Sequence, residues 1–253
     1  LLVLFQYFMD FFKQKFNSKN IQEGQIFLMD KPIGWTSFQV INKMRWYLKN
    51  LTGLKKIKIG HAGTLDPLAS GLLIVCTGKK TKSIHLHQNE MKTYTGTFSL
   101  GASTPSYDLE TEIDNIYQTN HITNDIIHEV AQTFIGEINQ IPPIYSAIKI
   151  KGKRLYDYAR NNKSTKIKAR KVCISKFEIT NINLPKVDFL ISCSKGTYIR
   201  SLAHDFGKKL SSGAHLSSLK RIKIGGKTLD DAYSMNSVIK KYSEKNIKSV
   251  KVD

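Results

Sequence analysis

The sequence has few cysteines, few acidic residues and no long hydrophobic run. Its 253 residues include three cysteines, Cys76, Cys173 and Cys193, an odd number without a C-x-x-C pair. A disulfide framework or a cysteine zinc site is therefore not expected, and the protein is expected in a reducing compartment. The apolar residues 1–9 are too few to span a bilayer and lack the basic start and cleavage site of a signal peptide. We expect a cytoplasmic protein that does not bind membranes.

Acidic residues are scarce relative to basic ones. Asp and Glu number 20 against 39 Lys and Arg, which gives a formal net charge of +19. Such an excess indicates a polyanionic partner, because basic side chains that neutralise phosphates release the counterions condensed on a nucleic acid. A Lys-rich solvated surface, typical of proteins from AT-rich genomes, is the alternative. Composition alone leaves both interpretations open.

Strand and helix signals alternate without a regular strand–helix–strand rhythm. This order favours an α+β fold, with a central mixed or antiparallel sheet flanked by helices, over a doubly wound one. A helix is predicted after Thr36 or Ser37, either of which could cap it. The other helix predictions rest on apolar spacing, and the strand predictions on β-branched and aromatic runs. The further helices are 122–135 and 199–210, and the strands are 26–29, 71–76, 92–100 and 189–194.

The chain is expected to consist of one main domain with two extensions. Residues 25–228 form the main domain, which contains an insertion at 149–171. Residues 1–24 form an N-terminal extension, in which 4–16 are predicted to be an amphipathic helix. Residues 229–253 form a C-terminal helical tail, with one helix over 229–245.

The segment Gly60–Gly71 has the composition of a functional site. Its three glycines allow unusual backbone angles and the close approach of a ligand. Asp66 precedes Pro67, which disfavours helical geometry at Asp66. A carboxylate on such a loop can be a nucleophile, a base or a metal ligand. The structural alternative is a turn in which the Asp side chain accepts a backbone N–H.

This segment, GHAGTLDPLASG, resembles the catalytic motif of the TruB family of pseudouridine synthases, G-H-x-G-x-L-D-P-x-A-x-G. Matches to the family's other motifs follow in the family's order and extend the resemblance over about residues 25–224. They are DKP-x-G-x-TS at 30–37, KTY at 92–94, QIPPIYSA at 140–147, GKRLYDYAR at 152–160, CSKGTYIR at 193–200, GAHL at 213–216 and LKR at 219–221.

The resemblance implies the pseudouridine-synthase fold and an isomerase. Its reaction converts the T-loop uridine of tRNA, position 55, into pseudouridine after the base is flipped out. The reaction uses no cofactor and no metal, and a monomer is expected. The alternative is a catalytically silent RNA-binding or tRNA-chaperone module on the same fold. An enzyme that modifies uridines of other RNAs is a second alternative.

Three residues would carry the chemistry. The resemblance implies that Asp66 is the nucleophile, which attacks either C6 of the uracil or C1′ of the ribose. Arg200 would pair with the Asp66 carboxylate and hold it ionised, because a guanidinium is permanently charged. Tyr94 would stack on the base and assist in removing the C5 proton. The alternatives are a phosphate contact for Arg200 and a core strand aromatic for Tyr94.

Further residues would bind the RNA. The resemblance implies that His61 occupies the space left by the flipped base, although a core histidine bonded to backbone is the alternative. Tyr198 would line the base pocket, and Lys31 and Leu219 belong to matching motifs assigned to RNA binding.

The insertion at 149–171 holds ten basic residues against one acid, Asp157. Basic side chains can hold phosphates while tyrosines offer stacking faces. The resemblance makes this segment a thumb that presses on the T stem-loop, and a solvated loop is the alternative. The thumb residues assigned to RNA are Lys149, Lys153, Arg154, Tyr156 and Arg160. Relatives often carry a C-terminal PUA-like domain, for which too few residues follow Arg221.

Overall fold

The computed structural model describes residues 17–146, 149–150, 153–155 and 167–235, with only the backbone at 149, 150, 153 and 154. Within these ranges, no helix has the length and apolar character needed to cross a membrane. The chain divides into two compact units. Unit 1 comprises Leu1–Glu90 and Ile222–Asp253, and unit 2 comprises Met91–Arg221.

Unit 1 contains a small mixed sheet built around one buried strand. Strand β3 is buried at every position except Ser70, which fits its run of apolar residues. β1 and β2 pair antiparallel with β3, and β14 pairs parallel with β1. The end of β12 pairs with β13. The bounds are β1 Ile26–Lys31, β2 Ile59–Ala62, β3 Ala69–Thr77, β12 Ala214–Ile224, β13 Lys227–Thr228 and β14 Tyr233–Ser234.

Three helices of unit 1 are described: α1 (Ser18–Glu23), α2 (Ser37–Thr52) and α3 (Ile84–Asn89). α2 begins at Thr36, whose hydroxyl accepts from the Gln39 N–H while the Gln39 side chain accepts from the Thr36 N–H. This capping box confirms the helix start predicted at Thr36 or Ser37. The apolar face of α2 packs on the sheet in one cluster with β1 and β3, which includes Val40, Ile41, Met44, Leu48, Phe27, Met29, Leu73 and Val75.

Two predictions about the ends of the chain change. α1 buries Ile21 in the same cluster, so the packed structure begins before Gln25. Leu229–Asp231 form a 3₁₀ turn and Tyr233–Ser234 form β14, so the prediction of a helix from residue 229 was wrong over these residues. Pairing with β1 outweighs the local helical pattern there. The rest of that predicted helix after Met235, and the predicted helix 4–16, lie outside the described residues.

Unit 2 contains a sheet in the order β12-β4-β11-β10-β7, in which the strands from β4 to β7 pair antiparallel. Gly96 in β4 is required by close packing, because an added Cβ would lie 2.3 Å from the Ser218 carbonyl oxygen and 2.7 Å from the Phe189 ring. Two short strand pairs, β5–β6 and β8–β9, complete the described strands. The bounds are β4 Lys92–Leu100, β5 Ala102–Ser103, β6 Asn115–Ile116, β7 Gly136–Gln140, β8 Lys149–Ile150, β9 Lys153–Arg154, β10 Arg170–Asn183 and β11 Lys186–Cys193.

The core of unit 2 is aromatic. Two helices of unit 2 are described, α4 (Asn124–Gln132) and α5 (Ile199–Lys209). α4 lies within the predicted helix 122–135 and buries Ile127 and Ala131, whereas Ile126 is exposed. Neighbouring ring centroids in the core lie between 4.3 and 6.4 Å apart. The rings belong to Phe98, Phe134, Phe177, Phe189 and Phe206. The mixed sheet of unit 1 and the flanked sheet of unit 2 confirm the α+β prediction.

Candidate active site

The Asp66 loop of unit 1 is fixed on the N-terminal side of Asp66. It connects β2 to β3. The Leu65 N–H donates to the Ser37 hydroxyl at 2.9 Å, and that hydroxyl donates to the Leu65 carbonyl at 3.1 Å. Leu65 is buried, and Ala69 closes the turn by donating to the Asp66 carbonyl at 3.1 Å. The half-buried Asp66 side chain is therefore carried by a loop whose backbone is anchored to the first turn of α2.

The other side of Asp66 is fixed by Lys31. The Lys31 side chain is fully buried, and its Nζ donates to the carbonyls of Pro32 at 3.0 Å, Pro67 at 3.4 Å and Trp35. The Gly34 N–H also donates to the Pro67 carbonyl, at 2.8 Å. The buried ammonium therefore contacts backbone carbonyls of unit 1, and the role of Lys31 in RNA binding stays a prediction. The structure gives Lys31 the role of holding the residue after Asp66.

Replacement of this lysine is expected to destabilise unit 1. Lys31→Met keeps a chain of similar length but leaves buried carbonyls without their charged donor. Hydrogen bonds to charged groups are the stronger ones, so we expect a loss of about 2–4 kcal/mol in the free energy of unfolding, measured with urea. Lys223→Met, at an exposed position, is the control and is expected to change that free energy by less than about 0.5 kcal/mol. Equal values for the two variants would contradict this role.

His61 lies on β2, directly before the Asp66 loop. It is half-buried and pairs with Val75 of β3. Gly63, two residues on, has φ 91°, a conformation that favours glycine. The pairing of β2 with β3 therefore fixes the backbone of His61 just before the loop that carries Asp66. Its role beside a flipped base stays a prediction.

Tyr94 and Tyr198 occupy defined places in unit 2. Tyr94 lies on β4 opposite Ile191 and is buried. Tyr198 directly precedes α5, where its N–H donates to Gln140 Oε1 at 2.8 Å and its carbonyl accepts from Gln140 Nε2 at 3.0 Å. Because Gln140 is buried at the end of β7, it fixes the backbone of Tyr198 from both sides.

Arg200 has a buried carboxylate partner, Asp108. Its Nε lies 3.5 Å from Asp108 Oδ2, and the two side chains are 4% and 5% exposed. One guanidinium nitrogen also donates to the Ser106 carbonyl at 3.4 Å. The Glu110 N–H donates to Asp108 Oδ1 at 2.9 Å, and the hydroxyls of Thr104 and Ser106 donate to the Asp108 carbonyl. The bond from Glu110 orients the Asp108 carboxylate, and the bonds from Thr104 and Ser106 fix the backbone that carries it.

Asp108 is a functional residue that the sequence alone did not indicate. It lies in the polar stretch that separates β5 from β6, and no spacing in that stretch singles it out. The side-chain-to-backbone bonds typical of Asp, Ser and Thr turns were the available signal. The pairing of Arg200 with Asp66 stays a prediction.

The remaining residues that were predicted to bind RNA are only partly described. Leu219 is half-buried on β12. Within the predicted thumb, β8 and β9 pair antiparallel, with Lys149 opposite Arg154 and Ile150 opposite Lys153. The side chains of Lys149, Lys153 and Arg154 are not described, and Tyr156 and Arg160 lie outside the described residues.

The cysteines are all free thiols. Burial raises the pKa of Cys193 to about 11, and burial also raises the pKa of Cys76. Both thiols are therefore protonated near neutral pH, which makes them poor nucleophiles and poor metal ligands. In the described part of the chain, no group of three His, Cys, Asp or Glu side chains is placed to hold a metal ion.

Comparisons with known proteins agree on one family. Residues 49–199 match the model of the TruB family pseudouridylate synthase (N terminal domain). The chain is 60% identical over 204 residues to tRNA pseudouridine synthase B of Flavobacterium johnsoniae, covering 80% of this chain and 89% of the relative. It is 49% identical over 231 residues to the protein of that name from Phocaeicola vulgatus, covering 91% and 98%.

Solved structures with the same fold include two assemblies. One is a Cbf5-Nop10-Gar1 complex, with a TM-score of 0.66 at 30% identity. The other is an H/ACA RNP bound to a substrate RNA containing 2′-deoxyuridine, with a TM-score of 0.64 at 27% identity. The matches cover 88% and 90% of this chain, which spans 55% and 56% of those chains.

Proposed function

The chain belongs to the TruB family of pseudouridylate synthases, and from this premise we propose that it isomerises the uridine at position 55 of the tRNA T loop, with Asp66 as nucleophile. The observation that carries the proposal is the fixed Asp66 loop. Its backbone is held at Leu65 by Ser37 and at Pro67 by Lys31 and Gly34. A nucleophile must be held in a narrow range of positions to reach its target, and bonds on both sides provide this.

The proposed reaction exchanges one bond to the ribose for another. The N1–C1′ bond of the uridine breaks, the uracil turns, a C5–C1′ bond forms, the C5 proton leaves and N1 takes up a proton. Asp66 attacks C1′ or C6 through a carboxylate oxygen and is released unchanged at the end. The atoms balance without an oxidant, a reductant or a group donor, so the side chains of the protein suffice.

Other residues are proposed to prepare the base. The uridine must leave its stack before a side chain can reach it, at a cost of a few kcal/mol. We assign His61 to the vacated space and the rings of Tyr94 and Tyr198 to the extruded base, because an aromatic face stacks on any base. Tyr94 would also take part in removal of the C5 proton. Arg200 supplies a permanent positive charge, and its ion pair with Asp108 holds the guanidinium group in its orientation.

Unit 1 also has a basic surface suited to an RNA backbone. A cavity of about 470 Å³ has an apolar floor that includes Ile21, Leu54 and Ile57. It lies beside Gly78, just after β3, whereas Asp66 lies just before β3. The nine residues of β3 span about 30 Å at ~3.3 Å each. Contacts there would meet phosphates well outside the target loop. The lysines that line this cavity are Lys56, Lys58, Lys79 and Lys82.

Removal of two of these charges is expected to weaken RNA binding with little effect on the chemical step. The double variant Lys58→Gln, Lys82→Gln should raise the Kd for tRNA and lower the slope of log K against log salt by about 2, since each phosphate contact contributes nearly 1. The slope is measured by filter binding from about 50 to 200 mM salt. Lys55→Gln, exposed but outside the cavity, is the single-charge control. An unchanged slope of log K against log salt would show that this surface does not contact the RNA.

Pseudouridine mapping tests the function directly. The purified protein is incubated with an unmodified tRNA transcript, and pseudouridine is located by carbodiimide-dependent stops of primer extension. One new stop at position 55 supports the proposal. Tight tRNA binding without any stop would favour the silent RNA-binding module, and a stop only in another RNA would favour a different substrate.

A further inference from the structure

Trp35 and Trp46 are the two tryptophans of the chain, and both line one surface cleft. The cleft has a volume of about 390 Å³ and is completed by Gln39, Asn42 and Lys43. Positions 39, 42, 43 and 46 recur at helical spacing, so they form one face of α2. Trp46 is 42% exposed, so part of its ring is accessible at the surface of the cleft.

The cleft combines aromatic faces with positive charge. Lys43 Nζ lies 4.5 Å from the centre of the Trp46 ring. The 16 residues of α2 include three basic side chains, Lys43, Arg45 and Lys49, and no acidic one. This positive charge disfavours a cationic peptide and favours an anionic ligand. The two tryptophan rings favour a ligand that also has flat rings.

The polar side chains of the cleft present donors. Gln39 Oε1 accepts from the Thr36 N–H at 2.7 Å, and Asn42 Oδ1 accepts from Arg45. With both amide oxygens in use, the amide N–H groups remain to bond a ligand. Carbonyl oxygens and ring nitrogens of nucleobases are acceptors of the matching kind.

The cleft lies close to the Asp66 loop within unit 1. The Trp35 carbonyl accepts from Lys31 Nζ, which also donates to the Pro67 carbonyl. The Gly34 N–H donates to the same Pro67 carbonyl. One buried side chain and one turn thus connect the cleft to the residue after Asp66.

We propose that this cleft binds a second, unstacked nucleobase of the RNA whose uridine is at Asp66. Trp35 and Trp46 stack on the base, the amides of Gln39 and Asn42 bond its edge, and Lys43 meets a neighbouring phosphate. Only the identity of the RNA rests on the proposed function. A nucleobase site that is separate from the site of reaction would select RNAs by a nucleotide other than the target uridine.

Tryptophan fluorescence reports on this cleft alone, because the chain has no other tryptophan. In an Asp66→Asn background, which prevents turnover, Trp46→Phe leaves Trp35 as the reporter and Trp35→Phe leaves Trp46. Stacking of a base is expected to quench each reporter when tRNA saturates the protein. Inorganic polyphosphate, which has the charge but no bases, is the control. No quenching by tRNA, or equal quenching by polyphosphate, would overturn the proposal.

Kinetics supply the second measurement. Trp46→Ala is expected to raise the KM for tRNA about tenfold with kcat unchanged, within the range for loss of one base–aromatic stack. Phe38→Ala is the matched control: Phe38 is a 64% exposed aromatic on the same helix that does not line the cleft. Circular dichroism verifies that Trp46→Ala folds. The fluorescence test uses the tryptophan-to-phenylalanine variants instead, so it does not depend on the folding of Trp46→Ala. Equal KM values for Trp46→Ala and Phe38→Ala would overturn the proposal.

The two measurements separate this inference from the proposed function. Pseudouridine formation without quenching would support the proposed function and would show that the cleft does not bind a nucleobase. Quenching by tRNA without pseudouridine leaves the cleft as an RNA-binding site and removes the proposed activity. Absence of both removes both.

Discussion

Asp66→Asn is expected to reduce pseudouridine formation to below about 10⁻⁴ of the rate of the unchanged protein, because loss of a catalytic nucleophile costs at least that much in other enzymes. The amide has the shape of the carboxylate but lacks its charge and its nucleophilicity. The backbone bonds at Leu65 and Pro67 do not depend on this side chain, so the loop is expected to keep its place. Release of tritium from 5-tritiated uridine in tRNA measures the rate.

Two comparisons make this result specific. Asp230→Asn, an exposed acid of unit 1, is expected to retain full activity. The Kd of the Asp66→Asn variant for tRNA is expected to stay within about threefold of the original value, because the amide keeps the shape of the carboxylate and the basic side chains that hold phosphates are unchanged. Substantial turnover by the variant would show that another group is the nucleophile.

Asp108→Ala is expected to produce the largest loss of stability, about 3–5 kcal/mol in the free energy of unfolding. Removing one partner of a buried ion pair leaves the other charge without compensation. Arg200 and Asp108 are both almost fully buried, so water cannot replace the missing carboxylate. Urea unfolding measures the loss. Activity is expected to fall as well, since Arg200 would no longer be held in its orientation.

The neighbouring Glu110 provides the control. It is exposed, and it contacts Asp108 through its backbone N–H rather than through its side chain. Glu110→Ala should therefore change the free energy of unfolding by less than about 0.5 kcal/mol. The double variant Asp108→Ala, Arg200→Met is expected to recover part of the loss, because it also removes the buried charge. A double variant less stable than Asp108→Ala would show that the pair is not the cause.

Features encoded by neighbouring residues could be predicted from the sequence. The start of α2 depends on Thr36 and Gln39, which are three residues apart, and its apolar face repeats at helical spacing. β4 was predicted with its observed bounds, since its aromatic and β-branched residues alternate with small ones. The Asp66 loop was found through its motif, and its backbone anchors confirm that it is an ordered loop.

Features that depend on distant residues could not be predicted. Tyr233–Ser234 form a strand only because Met29 and Asp30 of β1 offer backbone partners about 200 positions earlier in the chain. Lys31 was assigned to RNA through its place in a family motif, which does not reveal that three carbonyls from two separate turns make its burial favourable. Asp108 acquires its importance from Arg200, which the sequence places far from it.

The two separated pieces that form unit 1 impose an order on biosynthesis. A ribosome delivers Leu1–Glu90 first, but Met235 and β14, which complete the core and the sheet edge of that unit, emerge only after all of unit 2. The nascent Asp66 loop therefore lacks part of the apolar core of its unit while residues 91–221 are synthesised and can already pack around their phenylalanines. Maturation of the Asp66 region is thus a late event, timed by translation of the last residues of the domain rather than by its own position near the start.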